Sequence, residues 1–146
     1  MTSTNRAASG LLDTSTVILL PQLADPSQLP IEPLISSITL AELSVGPLIA
    51  TDPHIRAARQ AQLQQAEADF HPLPFDAAAA RAFGRVAADL RGAGRKPAAR
   101  AYDALLAAVA ISNDLTLYTV NPGDFTGITG LSVVAVPHPD HSATTT

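Results

Sequence analysis

Asp13, Glu42, Asp103 and Asp124 are acids lying far apart in the chain, each beside the end of an apolar segment. When a fold gathers carboxylates, they repel, and each raises its neighbours' pKa unless a cation joins the group. A site of carboxylate oxygens in a chain with no Cys suits Mg²⁺ or Mn²⁺ better than zinc. Such an ion activates water and steadies the charge that develops on a phosphodiester. Taken singly, each acid also has an ordinary structural role. Asp13 precedes Thr14-Ser15-Thr16 and suits a helix N-cap. Glu42 follows Thr39 by three residues, the spacing of a capping box. Asp103 would gain from the dipole of a helix first turn, although its stripe of Leu106, Ala107 and Ala110 turns it toward the core. Asp124, in Asn121-Pro122-Gly123-Asp124-Phe125, fits a turn. One acid at a time, both readings stay open.

The elements that would position these acids alternate between strand and helix. Ser9 to Asp13 reads as a buried strand ending in a helix start. Leu34 to Ile38 reads as a second strand, followed by a helix that opens at Thr39 and runs toward Gly46-Pro47. Asp52 and Pro53 supply an N-cap and a first helical residue for a long helix with a thin apolar face. His71 to Phe75 reads as an edge strand, because Pro is tolerated only there. Asp76 caps a helix striped by Ala79, Phe83, Val86 and Leu90 that stops at Gly92-Ala93-Gly94. Arg100 to Asn113 is apolar nearly all round and should be the most buried helix; Leu115 to Val120 and Leu131 to Val136 are the last strands. This alternation predicts a parallel sheet covered on both faces, with ligands at the carboxyl ends of its strands. Right-handed crossovers bring those ends to one edge. The four acids are therefore expected to converge.

The 146 residues, 47% of them hydrophobic and 15% charged, fit one domain that hides roughly 70% of its unfolded surface. The lack of Cys excludes disulfide scaffolds, cysteine zinc sites, iron–sulfur clusters and thiol nucleophiles. No stretch approaches the roughly 18 apolar residues of a membrane span. Met1 to Gly10 has one Arg and no apolar core, so a secretory signal is not expected and a cytoplasmic protein is. The net charge is −4, yet eight of the nine basic residues lie between Arg56 and Arg100. Setting the four acids aside leaves nine acids against nine bases. Total charge therefore does not exclude RNA.

Four blocks occur in order across residues 9 to 136: Leu11-Leu12-Asp13-Thr14-Ser15, Ile38-Thr39-Leu40-Ala41-Glu42-Leu43, Asp103-Ala104-Leu105-Leu106 and Thr119-Val120-Asn121-Pro122-Gly123-Asp124-Phe125. Together they resemble the PIN-domain family and, within it, the VapC-type toxins of bacterial toxin–antitoxin pairs. The resemblance implies a three-layer α/β/α sandwich around a mostly parallel sheet of four to five strands. It places that domain at residues 9–136, between flexible ends at 1–8 and 137–146. It further implies a Mg²⁺- or Mn²⁺-dependent endoribonuclease whose catalytic, metal-holding quartet is Asp13, Glu42, Asp103 and Asp124. Ser15 matches the hydroxyl position beside the first acid, and Thr119 and Asn121 match the polar positions around the fourth. A homodimer is implied, with an antitoxin whose C-terminal segment occupies the site. Transfer RNA is the commonest target class of such toxins and ribosomal RNA a minority one. Tyr102 stands where these toxins often have Asn, a departure that bears on how Asp103 is positioned.

Arg91, Arg95, Lys96 and Arg100 surround Gly92-Ala93-Gly94. They read either as charges favoured at a helix C-terminus or as a basic loop gripping RNA phosphates. Arg85 and Asp89 have the spacing of an intrahelical pair. His138-Pro139-Asp140-His141 offers ligand chemistry, but in a polar tail. Two other functions compete. An aspartyl-phosphate phosphatase needs a second acid two residues after Asp13, where Ser15 stands. A non-catalytic RNA-binding or scaffold α/β domain would use the acids only as caps. A receiver-like domain also wants a late Lys, and none follows Lys96.

Overall fold

The computed structural model describes residues 8–23, 25–96 and 100–142. Strands β1 (Ser9–Leu12), β2 (Glu32–Leu34), β3 (Thr116–Thr119) and β4 (Val133–Ala135) form a parallel sheet in the order β2-β1-β3-β4. Leu11 lies opposite Leu117, and Leu12 opposite Tyr118. The pleat sends neighbouring residues to opposite faces. Leu11 and Leu117 accordingly pack under α4 (Ala77–Gly92) and α5 (Ala101–Ser112), whereas Leu12 and Tyr118 pack with Leu29, Val120 and Val136. Val17 and Leu19 of α1 (Thr14–Leu19) cover this second face. The result is a three-layer α/β/α sandwich. Each fully buried Leu at its centre contributes about 1.5–3 kcal/mol, so β1 and β3 make a stiff platform for the segments that leave their carboxyl ends. Gly10 admits the Tyr118 ring: a Cβ there would lie 2.5 Å from Tyr118 Cε1.

The helices follow their sequence signals closely. Asp52 accepts the Ile55 N–H (3.1 Å) ahead of α3 (Pro53–Asp69), and Asp76 accepts the Ala79 N–H (3.0 Å) ahead of α4. The α4 residues Ala79, Val86 and Leu90 meet Ala104, Leu106, Ala107, Val109 and Ala110 of α5. Beside β2, α2 (Ser37–Ile49) pairs with α3 over Ile35, Leu43 and Ala66. The carbonyls at the α2 C-terminus are satisfied from α3: Arg59 donates to Gly46 O (3.0 Å), and Arg56 to Ala50 O (2.8 and 3.2 Å).

Three local expectations are corrected. The second strand ends at Leu34, and the next helix starts at Ser37 rather than Thr39. Ser36 is its N-cap, accepting from Ile38 N–H (3.1 Å) and Thr39 N–H (3.4 Å). Ser is as good a cap as Thr, and Ile35 and Ile38 suit a helix flank as well as a strand. Thr39 therefore lies inside the first turn, and it forms no capping box with Glu42. The edge strand at 71–75 shrinks to one bridge, Leu73 to Ser36, because Pro72 and Pro74 have no N–H to donate. Among the described residues the sheet has four strands. The Arg85–Asp89 pair is not formed; Asp89 instead accepts the Thr129 backbone N–H (3.0 Å). Residues 139–142 wind one helical turn, α6 (Pro139–Ser142). Residues 1–7 of the expected N-terminal arm and 143–146 of the expected tail lie outside the described residues.

Candidate active site

The chain leaves β1 for β2 on one side, while β3 lies on the other. The carboxyl ends of β1 and β3 thus flank the switch point where α/β sheets bind ligands. Asp13 comes directly after β1 and is only 3% exposed. Its Oδ1 accepts from the Thr16 N–H (3.0 Å) and hydroxyl (2.5 Å), and its Oδ2 accepts from the Thr119 hydroxyl (2.6 Å). Both hydroxyls also accept a backbone N–H from the segment after β3: Val120 to Thr16 (3.1 Å) and Asn121 to Thr119 (2.9 Å). Each therefore uses its one proton on Asp13. Two parallel relays lock this carboxylate to α1 and β3 at once.

Glu42, half-buried on α2, accepts from the Thr14 hydroxyl (2.5 Å). Thr14 Oγ1 also lies 3.0 Å from Thr39 Oγ1. With the Thr14 proton committed to Glu42, Thr39 is the donor of that second bond. Asp103 lies in the first turn of α5, and Asp124 in the Pro122–Phe125 3₁₀ turn after β3. Arg100 Nη1 is 2.7 Å from Asp124 Oδ1 and 3.8 Å from Asp103 Oδ2. Burial raises the Asp13 pKa above its ordinary value; the Thr119 and Thr16 hydrogen bonds oppose this, and the Asp124 charge adds to it. Burial likewise raises Glu42, against its Thr14 bond and with the Asp13 charge. Asp103 is pushed up to about 6 by burial first, then by Asp124, Asp13 and Glu42, with Arg100 pulling the other way. Asp103 thus lies near enough to the other three acids for each of their charges to raise it.

Among the described residues, no three His, Asp or Glu side chains are gathered in ligand geometry. Thr14 holds Glu42 and Arg100 holds Asp124, so closing on a cation takes rotation out of those bonds. The donor chemistry fits a hard divalent ion. The acids at this sheet end present only oxygen, and three of them are pushed toward the protonated form, by burial first and then by one another's charge.

A PIN-domain model matches residues 11–126, a span that contains all four acids. The chain belongs to the PIN-domain family. It is 37% identical over 131 residues to ribonuclease VapC5 of Mycobacterium tuberculosis, covering 88% of this chain and 94% of that protein. The crystal structure of VapBC-5, a member of the VapBC family of toxin–antitoxin systems from the same organism, matches with a TM-score of 0.76 at 37% identity. That match covers 88% of this chain and 99% of the other. FitAcB from Neisseria gonorrhoeae matches with a TM-score of 0.65 at 26% identity, over 90% and 98% of the two chains.

The other sequence candidates of this PIN domain divide. Thr119 bonds Asp13 directly, whereas Asn121 acts through its backbone N–H and its side chain is exposed. Ser15 is half-buried beside the site, and its hydroxyl bonds none of the acids. The hydroxyls of Thr14, Thr16 and Thr39 join the site without having been expected there, although the run Asp-Thr-Ser-Thr carried the signal for two of them. Of the four cations, Arg91 and Lys96 are exposed, and Arg100 lies on the acids. Arg95 donates to Thr126 O (2.6 Å) and Gly123 O (3.5 Å), tethering the turn that carries Asp124. Tyr102 is a rim residue, 46% exposed. His138 accepts the Asp140 N–H within the C-terminal segment. Asp13 has both oxygens engaged and no acid two residues on, a poor arrangement for a phosphorylated aspartate. Among the described residues no helix is long and apolar enough to cross a membrane.

Proposed function

We propose that this PIN domain is the endoribonuclease toxin of a toxin–antitoxin pair, a cytoplasmic hydrolase that cuts RNA with Mg²⁺ or Mn²⁺. The observation that carries the reading is the approach of Asp13, Glu42, Asp103 and Asp124, from four separate elements, to the β1–β3 switch point. In this reading all four are ligands as well as catalytic groups. Held there, a divalent ion would supply positive charge at the scissile phosphate and would lower the pKa of the attacking water so that it gives up a proton. Asp13, clamped by its two hydroxyl relays, fixes where the ion sits. Thr119 and the Asn121 N–H set the orientation of that clamp, with Ser15 as a further polar neighbour. Arg91 and Lys96 reach backbone phosphates, together with Arg95 and Arg100 where their own bonds release them. The chain has no Cys, and the Thr14, Thr16 and Thr119 hydroxyls are tied up holding Glu42 and Asp13, so in this reading water is the nucleophile.

Likeness to ribonuclease VapC5 and to the toxin–antitoxin assembly VapBC-5 supports RNA as substrate and an antitoxin protein as partner. A homodimer, and transfer RNA as target in preference to ribosomal RNA, enter the proposal as what the toxin resemblance implies. The test is to incubate purified protein with total RNA in Mg²⁺, in Mn²⁺ and in EDTA. New fragments are expected with either metal and none with chelator. Undiminished cleavage in EDTA would overturn the proposal.

A further inference from the structure

Arg100 occupies the N-cap position of α5, and its side chain caps nothing there. That position favours Ser, Thr, Asp or Asn, and the positive end of the helix dipole disfavours a cation. What offsets both is the pair of acids in front of it: Asp124, hydrogen-bonded at 2.7 Å, and Asp103 at 3.8 Å. Among the described residues no other Lys or Arg forms an ion pair with an acid. The one Lys or Arg ion-paired in this way is thus spent on the quartet, from a position where a cation is otherwise unfavourable.

We propose that Arg100 is a built-in counter-cation of the metal site, which a divalent ion must displace in order to bind. This rests on reading the quartet as a metal site. Nη1 stands on carboxylate oxygens that the ion would take, and the two positive charges would repel each other there. The guanidinium offsets part of the Asp124 and Asp103 charge while no ion is bound. Its side chain is 37% exposed, so it can swing outward when an ion arrives. The site is thereby held partly neutralised, which raises the metal concentration needed to load it.

The test is a calorimetric titration of Mn²⁺ into RNA-free protein at pH 7.5, comparing wild type, Arg100→Asn and Lys96→Ala. Asn supplies the missing N-cap side chain, so folding is not at issue. Lys96→Ala removes the same unit of charge from a side chain with no bond to the acids. Arg100→Asn should bind Mn²⁺ about fivefold more tightly than wild type, ~1 kcal/mol, and Lys96→Ala as wild type does. Unchanged or weaker affinity in Arg100→Asn would overturn the counter-cation and leave the metal site standing. Equal tightening in Lys96→Ala would reduce the effect to net charge and overturn it also. Absence of Mn²⁺ binding in all three proteins would overturn the metal-site reading itself.

Discussion

At Asp13 the structural and the chemical roles are one set of bonds: the N-cap that starts α1 also aims a buried carboxylate at the switch point. Glu42 separates the two roles more cleanly, because α2 is capped by Ser36 and owes Glu42 nothing. A Gln there can still accept the Thr14 proton but brings no charge to a hard cation. Glu42→Gln should leave the melting temperature unchanged or raised, since one repelling charge is gone. RNA cleavage should fall at least about tenfold, ~1.4 kcal/mol in the barrier, as paired melting and cleavage assays would report. Asp103 gives a pH signature. Its pKa rises on folding from 3.8 to about 6, so between those values the native state holds a proton that the unfolded chain has lost. The metal-free protein should therefore lose stability as pH climbs from about 4 to about 6, with no further change from this group above that. Melting curves of wild type against Asp103→Asn should show a steeper slope in wild type, the part left in the variant coming from Asp13 and Glu42, which burial also raises. Added Mn²⁺ should stabilise wild type above about pH 6 and fail to do so at pH 5.

Among the elements, the helices were legible where one capping residue had no rival, as at Asp52-Pro53 and Asp76. The start of α2 was not, because Ser36 and Thr39 compete as caps and only the pairing of β2 with β1 decides between them. Ser36→Ala should cost about 1 kcal/mol, measured by denaturant unfolding. The basic segment after α4 also divides once its contacts are known. Arg95 ties down the turn that carries Asp124, whereas Lys96 is exposed. Lys96→Ala should lower the salt slope of RNA binding by roughly one unit without altering the fold. An unchanged slope would remove Lys96 from the RNA surface.

Over the whole molecule, the alternating elements made the parallel sheet, and the placing of Asp13 and Asp124 just past its carboxyl ends, readable from sequence, because strand order and crossover hand leave few alternatives. The Arg100–Asp124 pair, 24 residues apart, and the threonine relays were not readable, since they depend on side-chain directions that no spacing encodes. Kinship with ribonuclease VapC5 supports RNA as the substrate, and the carboxylates supply the rest of the proposal: water, directed by a cation held on these acids, cuts RNA. The most direct measurement is the chemistry of the ends left on RNA in Mn²⁺ by wild type and by Asp103→Asn. Wild type should leave 5′-phosphate and 3′-hydroxyl ends, and the well-folded variant should cut nothing. Ends bearing 2′,3′-cyclic phosphate, or undiminished cutting by Asp103→Asn, would contradict it.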